Sequence, residues 1–190
     1  MLRYVTAGES HGKCLIALIE GIPYGTPVSV EAVNAELQRR QGGYGRGARM
    51  KLEKDEAEIL TGVRKGHTLG SPVTLQIANR VQNAEELNPI TRPRPGHADL
   101  AGAMKYGTRD ARDVAERSSA RETAARVAAG ALANAFLGHF GIRVLGYVVE
   151  VGGIGSDVRM EDPDALVRAR DESLFYTLDR SLDDRIRARV

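Results

Sequence analysis

The sequence predicts a single mixed α+β unit, and three observations carry that expectation. Apolar residues alternate at Val73, Leu75 and Ile77, the period of a half-buried strand. Ala120, Ala124, Val127, Ala128, Ala131, Leu132, Ala135 and Phe136 keep helical spacing, which makes a long core helix ending near Gly141. Finally, no repeat, low-complexity tract or flexible linker interrupts residues 1–190. With 42% hydrophobic and 27% charged residues, the chain can bury one core.

Taken in order, residues 2–22 read as two extended segments joined through Gly8-Glu9-Ser10-His11-Gly12, whose glycines mark a tight turn. Ser29 precedes a helical pattern at Val30, Val33 and Leu37 that stops at Gly42-Gly43 and delivers Arg39 and Arg40 to the helix end. Residues 50–60 and 73–78 are expected as strands, with Gly66, Gly70 and Pro72 punctuating the turn before the second. Residues 79–96 carry three prolines and little periodicity, the pattern of a surface loop. Ser119, three residues before Glu122, forms a capping box that opens the long helix. Residues 144–151 return to strand. The charged, weakly amphipathic stretch 163–190 reads as helix cut in mid-course.

Composition narrows the function classes. The net charge is +2, yet 22 of the 27 basic residues are arginines. Arginine grips phosphates and carboxylates through a planar fork, so the bias hints at an anionic partner, although GC-rich coding produces the same bias. The single cysteine, Cys14, excludes an intramolecular disulfide and multi-cysteine metal sites and fits a reducing cytosol. Its apolar surroundings at 14–19 make it a buried structural thiol. The N-terminus lacks the apolar core of a signal peptide, and no stretch approaches the roughly 20 apolar residues of a membrane span, so a cytoplasmic protein is expected. Three phenylalanines, no tryptophan and 25 interspersed acidic residues argue against a nucleic-acid platform.

Three constellations can carry chemistry. His11, flanked by glycines at a strand end, leaves room for a ligand and is able to donate a proton near neutral pH; a histidine in a turn is also commonly an ordinary surface residue. Residues 39–49 place four arginines among four glycines, a geometry suited to small anions and equally to a solvated basic loop. The third runs from Arg94-Pro95-Gly96-His97-Ala98-Asp99 to Glu116-Arg117-Ser118-Ser119-Ala120-Arg121-Glu122-Thr123, where a capped helix start flanked by Arg117 and Arg121 attracts phosphate.

In this order, Gly-Glu-Ser-His-Gly at 8–12, Gly-Tyr-Gly-Arg-Gly at 43–47, Arg-Pro-Gly-His-Ala-Asp at 94–99 and Arg-Ser-Ser-Ala-Arg-Glu-Thr at 117–123 closely resemble the chorismate synthase family. The resemblance covers essentially the whole chain. It implies an α+β fold that layers helices between antiparallel sheets as a β-α-β sandwich, here truncated, and assembly as a homotetramer. It also implies a shikimate-pathway lyase that eliminates phosphate from 5-enolpyruvylshikimate 3-phosphate with reduced FMN and no net oxidation. His11 would protonate the departing phosphate, and His97 would donate to the reduced flavin. Ser10, Arg46, Arg49 and Arg121 would bind substrate, and Arg117, Ser118 and Ser119 would contact FMN. In bifunctional relatives that reduce their own flavin, the positions of Arg40 and Arg46 hold NADPH. Two departures accompany the resemblance: family members have a second half that supplies further flavin contacts and a catalytic aspartate, and the loop at 79–92 lacks their tryptophan-containing stretch. The alternative is a related anion-binding module without chemistry.

Overall fold

The computed structural model describes residues 1–47 and 52–190. Strands β1 (Arg3–Ala7), β2 (Cys14–Glu20), β3 (Ala57–Thr61) and β6 (Val73–Ala78) build an antiparallel sheet in the order β1-β2-β6-β3. A two-stranded ribbon, β4 (Val63–Arg64) with β5 (His67–Thr68), connects β3 to β6. Leu15, Ala17 and Ile19 of β2 and Val73, Leu75 and Ile77 of β6 are buried on one face of the sheet, as alternation demands.

Two helices cover that face. Helix α1 (Val30–Gln41) starts where Ser29 Oγ accepts the Ala32 N–H at 3.2 Å, and contributes Val33 and Leu37. It ends with the Gly42 N–H on the carbonyls of Gln38 and Arg39, and Gly43 follows at φ 85°. After the loop at 79–96 come α2 (Asp99–Tyr106), α3 (Arg112–Ser118) and the long α4 (Thr123–Gly138). Ala124, Ala128 and Leu132 of α4 join the core against α1 and the sheet. Small residues on this face let the helix lie close to the strands. The fold is therefore the expected α+β arrangement of antiparallel strands under helices.

Four expectations need correction. The strand expected over 50–60 is regular only from Ala57, because Glu53 and Asp55 turn inward to an ion-pair network; residues 50 and 51 lie outside the described residues. The strand expected over 144–151 shrinks to β7 (Glu150–Val151), paired with β8 (Ile154–Gly155), and Val144 and Val149 are exposed. Helices α2 and α3 were not expected; each is only two turns long, too short for a clear apolar period. Cys14 is half-buried, because its side chain lies on the sheet face opposite the helices.

The last stretch forms α5 (Pro163–Glu172) and α6 (Asp183–Arg189) around an anchored segment. Asp162 caps α5, accepting from Asp164 and Ala165, and Pro163 sits where its missing N–H costs nothing. Tyr176 donates its hydroxyl to the Arg39 carbonyl at 2.7 Å, which ties this segment to the end of α1. Among the described residues, no helix is long and apolar enough to cross a membrane.

Candidate active site

The turn at residues 8–12 is fixed from three sides. Gly8 has φ 104°, and a Cβ there would collide with the Cys14 carbonyl oxygen and lie 2.9 Å from Leu15 Cα, so only glycine lets β1 turn into β2. Asn79, buried at the end of β6, donates Nδ2 to the carbonyls of Glu9 (3.0 Å) and Gly12 (2.8 Å). From α3, the Glu116 carbonyl accepts the N–H of the buried Ser10 at 3.0 Å. The Glu116 carboxylate accepts the His11 N–H at 2.8 Å and lies 3.0 Å from His11 Nδ1 through both oxygens. His11 is only partly buried and borders a cleft of about 270 Å³ with Gly12, Lys13, Asn83, Glu85 and Glu86.

His97 has a similar arrangement. The Asp99 side chain is wholly buried and accepts from Arg94 N (3.0 Å), Nε (2.8 Å) and Nη2 (3.0 Å). His97 Nδ1 lies 2.6 Å from Asp99 Oδ1. The hydrogen bonds from Arg94 hold the Asp99 carboxyl well below the usual carboxylate range despite its burial, with His97 adding to them. In return, the Arg94 guanidinium holds its proton more tightly, chiefly through its bonds to Asp99 and further through the charge of Glu116.

Asp99 gives the pH dependence a definite sign. Its folded pKa lies below that of an unfolded aspartate, about 3.9. The stability it contributes is thus complete above about pH 4 and drains away as the pH falls toward the folded value. Asp99→Asn should be less stable than the parent chain at pH 7 and approach it as the pH drops below about 4, as read from urea unfolding midpoints. Parallel pH profiles for the two proteins would remove this role.

The arginines divide into two groups. Arg121 has a side chain only 5% exposed and donates Nε to Asn79 Oδ1 at 2.9 Å and Nη1 to Asp55, while Nη2 lies 3.8 Å from Glu53. Arg40 donates Nη1 to the other Asp55 oxygen at 2.9 Å, Nη2 to the Ala120 carbonyl at 2.9 Å and Nε to Thr123 Oγ1 at 3.1 Å. Burial lowers the Arg40 pKa; the Asp55 charge opposes this, and the charges of Arg121 and Arg46 add to it. Arg46 itself is exposed, with Nε on the Gly42 carbonyl. Arg49 lies outside the described residues.

Next to Glu116 at the C-terminal end of α3, Arg117 donates Nη2 to the carbonyl and hydroxyl oxygens of Thr6, both at 2.8 Å. The capping box is only half formed. Ser119 Oγ accepts the Arg121 N–H at 3.3 Å and opens a 3₁₀ turn, Ala120–Glu122, ahead of α4. Glu122 does not reach back but accepts from the Thr6 hydroxyl and from Arg126 Nε at 2.7 Å. Burial opposes the ionisation of Glu122, and these donors outweigh it, so its pKa is lowered. Arg117 and Ser118 line a cleft of about 610 Å³ between α2 and α3, together with Ala98, Gly102, Tyr106 and Val114. Gly102 matters to this wall, because a Cβ there would run into the Val114 methyls.

The family profile described as chorismate synthase matches residues 2–190. The chain belongs to the chorismate synthase family. It is 54% identical over 200 residues to the chorismate synthase of Geobacter sulfurreducens, covering 99% of this chain and 51% of that one. With the chorismate synthase of Pelobacter propionicus it shares 60% identity over 166 residues, or 81% of this chain and 42% of the relative. A solved structure described as "Crystal Structure of Chorismate Synthase" superposes with a TM-score of 0.80 at 42% identity, over 98% of this chain and 52% of that chain. The chain thus spans about half the length of the chorismate synthases it matches.

Within this family member, the expected residues fall into connected places. Ser10 and His11 meet α3, and His97 lies two residues before α2. Arg117 and Ser118 border the larger cleft, while Arg40 and Arg121 share Asp55. The acceptors that hold them were not assigned from sequence: Glu116, Asp99, Asn79, Asp55 and Glu53. One signal was available for the last two, because Glu53, Asp55 and Ala57 alternate in strand register and all three are buried.

Proposed function

We propose that this chain supplies the proton-donating and anion-binding half of a chorismate synthase, which converts 5-enolpyruvylshikimate 3-phosphate to chorismate with loss of phosphate. The observation that carries the reading is that both histidines are held by buried carboxylates, His11 by Glu116 and His97 by Asp99. His11, oriented by Glu116, gives a proton to a phosphate oxygen as the C–O bond breaks, which lowers the cost of charge on the leaving group. Arg46 and Arg49 hold the anionic groups of the substrate. Ser10 and Arg121 complete this side, Arg121 by fixing the walls through Asp55 and Asn79.

The cleft between α2 and α3 suits FMN: its volume is in the range of small-molecule sites, its lining is largely apolar, and Arg117, Ser118 and Lys105 bring polar and cationic groups to it beside Asp113. Arg117, Ser118 and Ser119 would hold the flavin, and His97 would donate a hydrogen bond or proton to its ring. Reduced FMN, when bound, supplies an electron-rich ring to a reaction with no net oxidation. In a member that reduces its own flavin, Arg46 is the exposed arginine for NADPH, and Arg40 supports it from the ion-pair network. The working enzyme is cytoplasmic and homotetrameric in this reading.

The test is an anaerobic assay with reduced FMN and 5-enolpyruvylshikimate 3-phosphate. A chimaera of residues 1–190 with the second half of the Geobacter sulfurreducens relative should release phosphate and chorismate in equal amounts. The 190-residue chain alone should bind FMN weakly and release neither, since a flavin site needs several walls at once. A folded, flavin-binding chimaera that releases no phosphate would overturn the proposal.

A further inference from the structure

We infer that Glu116 is a positioning residue for His11, keeping a proton on Nδ1 in both the charged and the neutral imidazole, so that a proton given up by the ring leaves from Nε2. The inference rests on the reading of His11 as the proton donor, but its structural half can be tested without turnover.

Glu116 is an unusual acceptor. Its side chain is 7% exposed, and one carboxylate takes both the backbone N–H and the ring of the same residue. An ionised carboxylate only accepts, so at 3.0 Å the Nδ1 atom must be the donor. Anchoring the turn would need only the two backbone bonds, from Ser10 N to the Glu116 carbonyl and from His11 N to the carboxylate. The contact with Nδ1 is additional, and it favours the tautomer protonated there. In a histidine, the proton on one nitrogen is set by the hydrogen bond that nitrogen makes.

The neighbouring charges leave this contact intact. Arg112, one turn earlier on α3, brings Nη1 to 3.8 Å from Glu116 Oε1, too far for a hydrogen bond, and directs Nε to the Asn88 carbonyl. Arg94 feels the charge of Glu116 but bonds to Asp99. Lys13, Glu85 and Glu86 border the cleft beside His11. With Nδ1 on Glu116, any proton that His11 passes to a ligand leaves from Nε2. The donor is the imidazolium, which carries a proton on each nitrogen; when the Nε2 proton leaves, the phosphate takes it together with the electron pair of the broken C–O bond, and the ring becomes neutral with its remaining proton on Nδ1.

Long-range ¹H–¹⁵N correlation spectra of the labelled 190-residue chain, above the pH at which its histidines titrate, test this directly. The chain has four histidines, and His11→Gln identifies the signal. His11 should show a protonated Nδ1 and a bare Nε2. In Glu116→Gln, whose amide can donate as well as accept, that preference should be lost, and in Glu116→Ala it should reverse toward the proton on Nε2. An unchanged His97 signal certifies the fold of each variant. A proton on Nε2 of His11 in the unsubstituted chain, or an unaltered tautomer in both variants, overturns the inference. In the chimaera, Glu116→Gln should lower kcat roughly 10²-fold with little change in KM. The expected spectra combined with a turnover indifferent to His11→Ala would support the Glu116 contact and refute His11 as the acid.

Discussion

Asp55→Ala should destabilise the chain by about 3–5 kcal/mol, because it strips the shared partner from two buried guanidinium groups. The Asp55 side chain is 0% exposed and divides its oxygens between Arg40 and Arg121. These two arginines come from the end of α1 and the turn before α4, and Arg121 also bonds Asn79 at the end of β6. One carboxylate therefore joins two helices to the sheet, and its removal leaves charges that water cannot easily reach. The backbone is involved as well: Gln41 accepts the Asp55 N–H at 3.0 Å and donates to the Glu53 carbonyl at 2.8 Å, so residues 53–55 are held against α1. Urea unfolding of the 190-residue chain measures the effect. A double variant, Asp55→Ala with Arg121→Met, should recover part of the loss, since removing both partners costs less than orphaning one. A single-variant loss below about 1 kcal/mol would show that the network is a surface feature, worth no more than an exposed ion pair.

This network also marks how far the sequence could be read. Elements built on local pattern were legible: the alternation of β6, the Ser29 cap of α1 and the alanine-rich face of α4 all depend on neighbours a few residues apart. The histidines and arginines stood out for the same reason, because glycines and repeated arginines surround them. Their acceptors did not stand out. Glu116 meets His11 across 105 residues, and Asp55 meets Arg121 across 66, so no local pattern names these partners, even where the alternation of Glu53, Asp55 and Ala57 hints at burial. The capping box shows the same limit from the other side. Ser119 and Glu122 have the right spacing, but the Thr6 hydroxyl on β1 and Arg126 one turn along α4 hold the glutamate instead. Short helices such as α2 and α3 were missed because packing fixes them where periodicity cannot. Gly102 of α2 lies so close to Val114 of α3 that only a hydrogen fits there.

Removing either histidine should affect catalysis far more than folding. In the chimaera, His11→Ala and His97→Ala should each lower kcat by roughly 10² to 10⁴, the usual cost of losing a positioned proton donor. KM for the substrate should change little, because the arginines proposed to hold its anionic groups are untouched. The geometry predicts that both variants fold. Without His11, Glu116 still receives the backbone N–H of residue 11 and keeps Arg112 nearby. Without His97, Asp99 retains its three hydrogen bonds from Arg94, so the buried carboxylate stays satisfied. Thermal unfolding of each variant should therefore stay within a few degrees of the parent, while turnover falls by orders of magnitude. The two variants should also differ in one respect. If His97 serves the flavin and His11 the phosphate, His97→Ala should weaken binding of reduced FMN in anaerobic titrations, and His11→Ala should leave it unchanged. Near-normal kcat in both variants would refute the two-histidine mechanism. Equal losses of flavin affinity in both would refute the division of labour between them.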